Sequence, residues 1–182
     1  MKKISAIVIM ALLILISLVG CNNNAENTVA GRQNTLNEPP ALYVSFNSGD
    51  SSEQGFNAVR LSWTWSVLDE DGIIHTTCTD SCGALQLSDY SDITLFLNDD
   101  SGEITLGFSD DYQPLSVSAK RWDVKYLEME SDVGFWDEGE SIEVIGSKIS
   151  VRNDGINYIY EVYANWSEGN SYYVFRVSMA GE

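Results

Sequence analysis

An all-β sandwich is the fold class this sequence predicts, and three observations predict it. Apolar and polar residues alternate with period two over residues 59–67 and again over 158–166. Acidic or glycine-containing turns separate most of the other short apolar runs. Behind the first 21 residues no sustained 3.6-residue apolar period appears. About ten short strands at this spacing suit two packed β-layers, with a barrel as the main structural competitor.

The first element is a leader. Lys2 and Lys3 precede an apolar run from Ile4 to about Val19, and Leu18-Val19-Gly20-Cys21 closes it. The run is short of a comfortable membrane span of ~20 residues. Over residues 1–21 this resembles the signal peptide and lipobox of bacterial lipoproteins. The resemblance implies cleavage after Gly20 and a thioether to diacylglyceryl on Cys21. It also implies a location on the extracytoplasmic face of the cell membrane. Two acyl chains hold a protein stably, since each buried CH₂ contributes ~0.8 kcal/mol.

Residues 21–40 read as a flexible, disordered tether. They are rich in Asn, lack apolar periodicity and end in Pro39-Pro40. As a coil this segment spans about 25 Å, from ~5–6 Å × √n. Residues 41–182 remain as one domain of ordinary size, enough for a single core. The leader holds two of the ten basic residues and none of the 27 acidic ones, so the mature chain carries a net charge near −19. That charge disfavours nucleic acid and anionic headgroups and suits a basic partner or a salty exterior.

Within the domain, residues 42–46 form the first expected strand. Val59, Leu61, Trp63, Trp65 and Val67 alternate with polar residues in the second. Asp69-Glu70-Asp71-Gly72 makes a turn, and residues 73–79 return. An even-length turn would place Ile74, Thr76 and Cys78 on the face of Trp63 and Trp65. Short strands follow over 93–97, 103–108, 115–119, 141–145 and 148–151; residues 122–130 fit a helical turn or a strand equally well. The last pair is a hairpin over 158–166 and 172–177. A four-residue loop there would pair Tyr160 with Val177, Val162 with Phe175 and Ala164 with Tyr173, all on one apolar face.

Asp154-Gly155-Ile156-Asn157-Tyr158-Ile159-Tyr160 resembles the start of strand F in immunoglobulin-like domains. Asp154 and Tyr158 keep that spacing, Gly155 sits one place early, and Tyr160 stands where the disulfide cysteine would be. Trp63 or Trp65 would be the buried tryptophan. The resemblance implies a single Ig-like β-sandwich. Segments 62–65, 160–166 and 173–177 also resemble a poorly characterised family of Gram-positive lipoproteins. Related segments occur as extracytoplasmic tails of sensor-type membrane metallopeptidases. That likeness spans about residues 40–178 and supplies no catalytic residues.

Cys78-Thr79-Asp80-Ser81-Cys82 is the sharpest local chemistry. With Cys21 lipidated, Cys78 and Cys82 remain as an even pair outside the cell, so a structural disulfide is expected. A bridge needs Cα atoms within ~4.4–6.8 Å, whereas extended chain would separate them by about 13 Å. Residues 79–81 must therefore make a tight turn. His75, Cys78 and Cys82 are ligand types for zinc or copper, but only three are offered, and on different strand faces. C-x-x-x-C is also the spacing of thioredoxin-like copper chaperones, whose βαβ pattern and distant His are missing here. Glu138-Gly139-Glu140-Ser141-Ile142-Glu143 has the acidic spacing of laminarinase-like glycosidases, with Glu in place of the middle Asp. The acidic clusters 69–71, 98–103, 110–111 and 137–140 offer calcium-type oxygens without EF-hand spacing. There is no G-x-S-x-G elbow and no phosphate-binding loop. Trp122, Trp136, Tyr163 and Tyr172 could stack on sugars if exposed.

These observations lead to an expectation of a membrane-anchored, non-catalytic binding or structural module, with no cofactor and no metal. Its partner would be the membrane through Cys21, with a cell-wall or basic protein partner besides. A carbohydrate- or calcium-binding surface module is the alternative, and an extracytoplasmic hydrolase is less favoured.

Overall fold

A computed structural model describes residues 36–47, 53–127 and 139–179. The lipobox at Leu18–Cys21, Trp136 and Glu138 lie outside them. The described chain forms eleven strands: β1 (Tyr43–Asn47), β2 (Glu53–Asn57), β3 (Val59–Leu68), β4 (Ile74–Thr79), β5 (Thr94–Leu97), β6 (Ser101–Gly107), β7 (Ser116–Asp123), β8 (Glu140–Ile142), β9 (Lys148–Arg152), β10 (Tyr158–Asn165) and β11 (Gly169–Met179). They build two sheets, β2-β1-β6-β9 and β4-β3-β11-β10-β7-β8, with β5 added to β11. Every pairing is antiparallel except β5 with β11. β11 is long enough to use both partners, β3 along residues 169–174 and β5 along 176–179. The all-β sandwich is thus the observed architecture.

The core lies between the sheets and follows the period-two pattern. Val44, Phe46, Ile104 and Ile149 bury from the smaller sheet, and Trp65, Tyr160, Val162 and Phe175 from the larger. Aromatic rings fill one end of it. Trp166 meets Trp65 edge-on at 5.6 Å and Phe108 at 5.4 Å, geometries that contribute beyond simple burial. Tyr160 stacks flat on Phe175 at 5.2 Å. Of the two tryptophans proposed for the core, Trp65 is fully buried and Trp63 half-buried.

Three expectations are corrected. The 158–177 hairpin forms, but Tyr158 pairs with Val177, Tyr160 with Phe175 and Val162 with Tyr173. Trp166 N–H donates to Gly169 O at 2.7 Å, so the loop has two residues rather than four. A shift of two keeps every side chain on its expected face and changes its neighbour. The β3–β4 loop errs the other way: Leu68 pairs with Ile74, leaving five loop residues. Asp69 makes this loop, its carboxylate accepting from Asp71 N at 3.0 Å and Ile73 N at 2.7 Å. An odd loop reverses parity, so Ile74, Thr76 and Cys78 lie opposite Leu68, Ser66 and Thr64, away from Trp63 and Trp65. Finally, the tether reading does not hold for residues 36–40. Trp65 Nε1 donates to Leu36 O at 3.0 Å, Arg60 to Pro39 O and Tyr173 OH to Pro40 O. Glu38 also pairs with Arg60 at 2.9 Å. Buried donors on β3 and β11 need acceptors, and this backbone supplies them.

Candidate functional site

The outer face of the larger sheet carries the side chains that the core does not use. At one end it is closed. Ile159, Val174 and Trp122 are buried there, and the 3₁₀ turn Ala84–Gln86 packs on β10. Tyr90 OH donates to Ala84 O and fixes the crossover. Trp122 is therefore a packing residue rather than an exposed aromatic. Gly139 lies flat against it, where a Cβ would meet the indole ring at 2.6 Å.

Away from that end the face is partly open: Cys78, Ser116, Ser118, Lys120 and Tyr172 are exposed, while Thr64, Asn165, Asn170, Tyr163 and Glu161 are half-buried. Register sets out its rows. Cys78, Thr64, Asn170, Asn165 and Ser116 stand in one row from β4 to β7. In the next row Tyr172 stands opposite Tyr163, and Tyr163 opposite Ser118. The third sets Glu161 between Val174 and Lys120. Tyr163 and Tyr172 have ring centroids 4.9 Å apart and planes tilted by 50°. Tyr172 is 36% exposed. The β3–β11 register shifts between Ser171 and Tyr173, so Leu61 and Ser62 face the single residue Tyr172. Such bulges re-aim side chains next to functional surfaces.

On the β3–β4 side the polar groups satisfy each other. Ser66 and Thr76 hydroxyls are 2.8 Å apart, Thr64 donates to Cys78 Sγ at 3.6 Å, and Ser62 donates to Asp80 at 3.3 Å. On the β11–β10–β7 side they do not. Among the described residues, no protein group hydrogen-bonds the side chains of Ser116, Ser118, Asn165, Asn170, Tyr163 or Tyr172. Burial raises the Glu161 carboxyl above its ordinary value, and the charge of Lys120 opposes that shift. Burial also raises the Tyr172 phenol, with Tyr163 and Glu161 adding to it.

The cysteine expectation is corrected in geometry. Cys78 and Cys82 are exposed free thiols. Cys78 is held in β4 opposite Thr64, and the chain then runs on along β3, where Ser62 Oγ accepts from Ser81 N at 3.3 Å. The tight turn that a bridge requires is not made at residues 79–81. His75 points to the other face of β4 from Cys78, and its Nε2 lies 2.7 Å from Asp69 Oδ2. Hydrogen bonds from Ile73 N and then His75 hold the Asp69 carboxyl below its usual range. Among the described residues no group of three or more His, Cys, Asp or Glu side chains converges as a metal site. Glu140 pairs with Arg121 at 2.7 Å in the β7–β8 ladder. Glu143 instead lines a shallow cleft of about 220 Å³ beside Ile145 and the ion pair of Glu103 with Lys148. The laminarinase-like spacing thus splits between a ladder ion pair and this cleft. Of the acidic clusters, Asp69 caps its own loop, while Glu103 and Glu140 form ion pairs with Lys148 and Arg121.

The immunoglobulin-like spacing has one physical counterpart. Tyr158 OH donates to Asp154 Oδ2 at 2.8 Å, tying β10 to the loop before it. Burial first, and then this carboxylate, push the phenol up to about 12. Comparison with known proteins gives no matching family model and no similar curated protein.

Proposed function

We propose that the chain is a lipid-anchored, extracytoplasmic, non-catalytic binding module of Ig-like type. The β11–β10–β7 half of the outer sheet face is its binding surface. One observation carries the reading: among the described residues, the side chains of Ser116, Ser118, Asn165, Asn170, Tyr163 and Tyr172 gather on this half of the face with no hydrogen-bond partner on the protein. The lipobox supports the anchor, with lipid on Cys21. Two features support binding without catalysis. Among the described residues of β11, β10 and β7, Glu161 is the one carboxyl on this face and stands opposite Lys120, and His75 is engaged with Asp69 on another element.

Two experiments test this. Cys21→Ala should move the protein from the membrane fraction to the soluble fraction; unchanged membrane retention would defeat the lipid anchor. The full chain should cosediment with isolated cell walls, and Ser118→Arg, which puts a long charged side chain on the surface, should abolish it. Cosedimentation indifferent to Ser118→Arg would defeat the choice of face.

A further inference from the structure

We propose that the ligand of this face is an uncharged glycan strand that stacks on Tyr163 and Tyr172; this rests on the binding-module reading above. Ring geometry is the first argument. The two phenols adjoin across β10 and β11 at 4.9 Å and tilt by 50°, with Tyr172 36% exposed and Tyr163 half-buried on the outer face. The C–H faces of pyranose rings pack on such aromatic faces. Each phenol also ends in a hydroxyl that can bond a sugar edge.

The rim is the second argument. Ser118 stands directly across from Tyr163, while Asn165 and Asn170 oppose each other in the adjoining row. An Asn side chain offers a donor pair and an acceptor side by side, which matches neighbouring hydroxyls on one sugar. Strands ~4.8 Å apart repeat these groups at a spacing close to the rise of an extended β-linked sugar chain.

Charge is the third argument, and it separates this ligand from other polymers. Among the described residues, Lys120 and Glu161 are the charged residues of these rows on β10 and β7, and they stand opposite each other; Asp80 lies beyond Ser62 at the β4 edge. The surface therefore has no net sign of its own, and the chain around it carries −17. A polyanion is repelled, and a polycation finds Glu161 already facing a lysine and Asp80 already bonded to Ser62.

The test uses the full chain in detergent and calorimetric titration with four hexamers. Two are uncharged, of β-1,4-linked N-acetylglucosamine and of β-1,4-linked glucose; one is cationic, of glucosamine; one is anionic, of galacturonic acid. The proposal expects saturable binding of at least one uncharged hexamer, weaker by tenfold or more in Tyr163→Ala and in Tyr172→Ala. Tyr172→Phe, which keeps the ring, should stay within threefold of the parent, and so should Thr76→Ala on the other half. Circular dichroism confirms that each variant is folded. Binding of neither uncharged hexamer, or binding indifferent to both alanine variants, overturns the proposal. If cell walls still cosediment through the Ser118 face in that case, the glycan assignment alone fails and the choice of face stands.

Discussion

The two halves of one sheet face differ in how they treat polar side chains. On β3 and β4 the hydroxyls and the thiol bond one another: Ser66 to Thr76, Thr64 to Cys78, Ser62 to Asp80. On β11, β10 and β7, groups of the same chemistry point outward with two tyrosines among them. Both halves are exposed and share a backbone ladder, so exposure alone does not separate them. A closed polar ladder stabilises a hairpin that has little core to rest on. An unclosed one leaves its hydrogen-bonding capacity open to solvent, or to the ligand proposed above.

The largest expected effect comes from the seam between the halves. Gly169 brings β11 so close to β3 that a Cβ would stand 1.9 Å from Thr64 O. Gly169→Ala should cost about 3 kcal/mol in urea unfolding, the upper end for overpacking. A cost under about 1 kcal/mol would mean that the strands separate easily and that the halves are not one rigid surface.

Next comes the tyrosine pair. A cross-strand aromatic pair contributes up to ~1 kcal/mol, so Tyr163→Ala and Tyr172→Ala should each lower stability by about that much. A double-mutant cycle should show them coupled. Strictly additive losses would mean that the rings do not act as one platform.

A smaller effect is expected on the closed half. Ser66→Ala or Thr76→Ala removes an exposed hydrogen bond worth roughly 0.5–1 kcal/mol. The loss should appear in unfolding and be no larger in the double variant than in either single one.

The smallest effect is a pH dependence. The folded-state pKa of Glu161 is raised by burial, so the folded state holds its proton more tightly than the unfolded chain does. Its contribution to stability is full below the ordinary Glu value of ~4.3 and is lost as pH rises through the folded value. Glu161→Gln should therefore gain on the parent in melting temperature between pH 4 and pH 7. A constant difference across that range would contradict the buried carboxylate.

Much of this was legible in the sequence, and the misses have physical causes. The alternation in β3, β10 and β11 is dictated by a face buried against the other sheet, so these strands and their inward faces are readable. β2 is not: Glu53-Gln54-Gly55-Phe56-Asn57 lies at a sheet edge and has almost no apolar period. Tyr163 and Tyr172 were visible as candidate sugar-stacking residues, but their contact was not. A four-residue loop would have set Val174 opposite Tyr163, and the observed two-residue loop sets Tyr172 there. Loop length in turn hangs on single backbone hydrogen bonds, Trp166 to Gly169 in one hairpin and Asp69 to Ile73 in the other, which leave no mark on hydrophobic pattern. The same uncertainty put Cys78 on the wrong face, whereas the bridge to Cys82 was expected from the even cysteine count alone.

The most direct test of the account maps backbone amide shifts of the full chain while an uncharged β-1,4-linked hexamer is added. The account predicts shifts at Ser118, Tyr163, Asn165, Asn170 and Tyr172, with Ser66, Thr76 and Cys78 unmoved. Equal shifts on both halves, or shifts confined to β3 and β4, would contradict it.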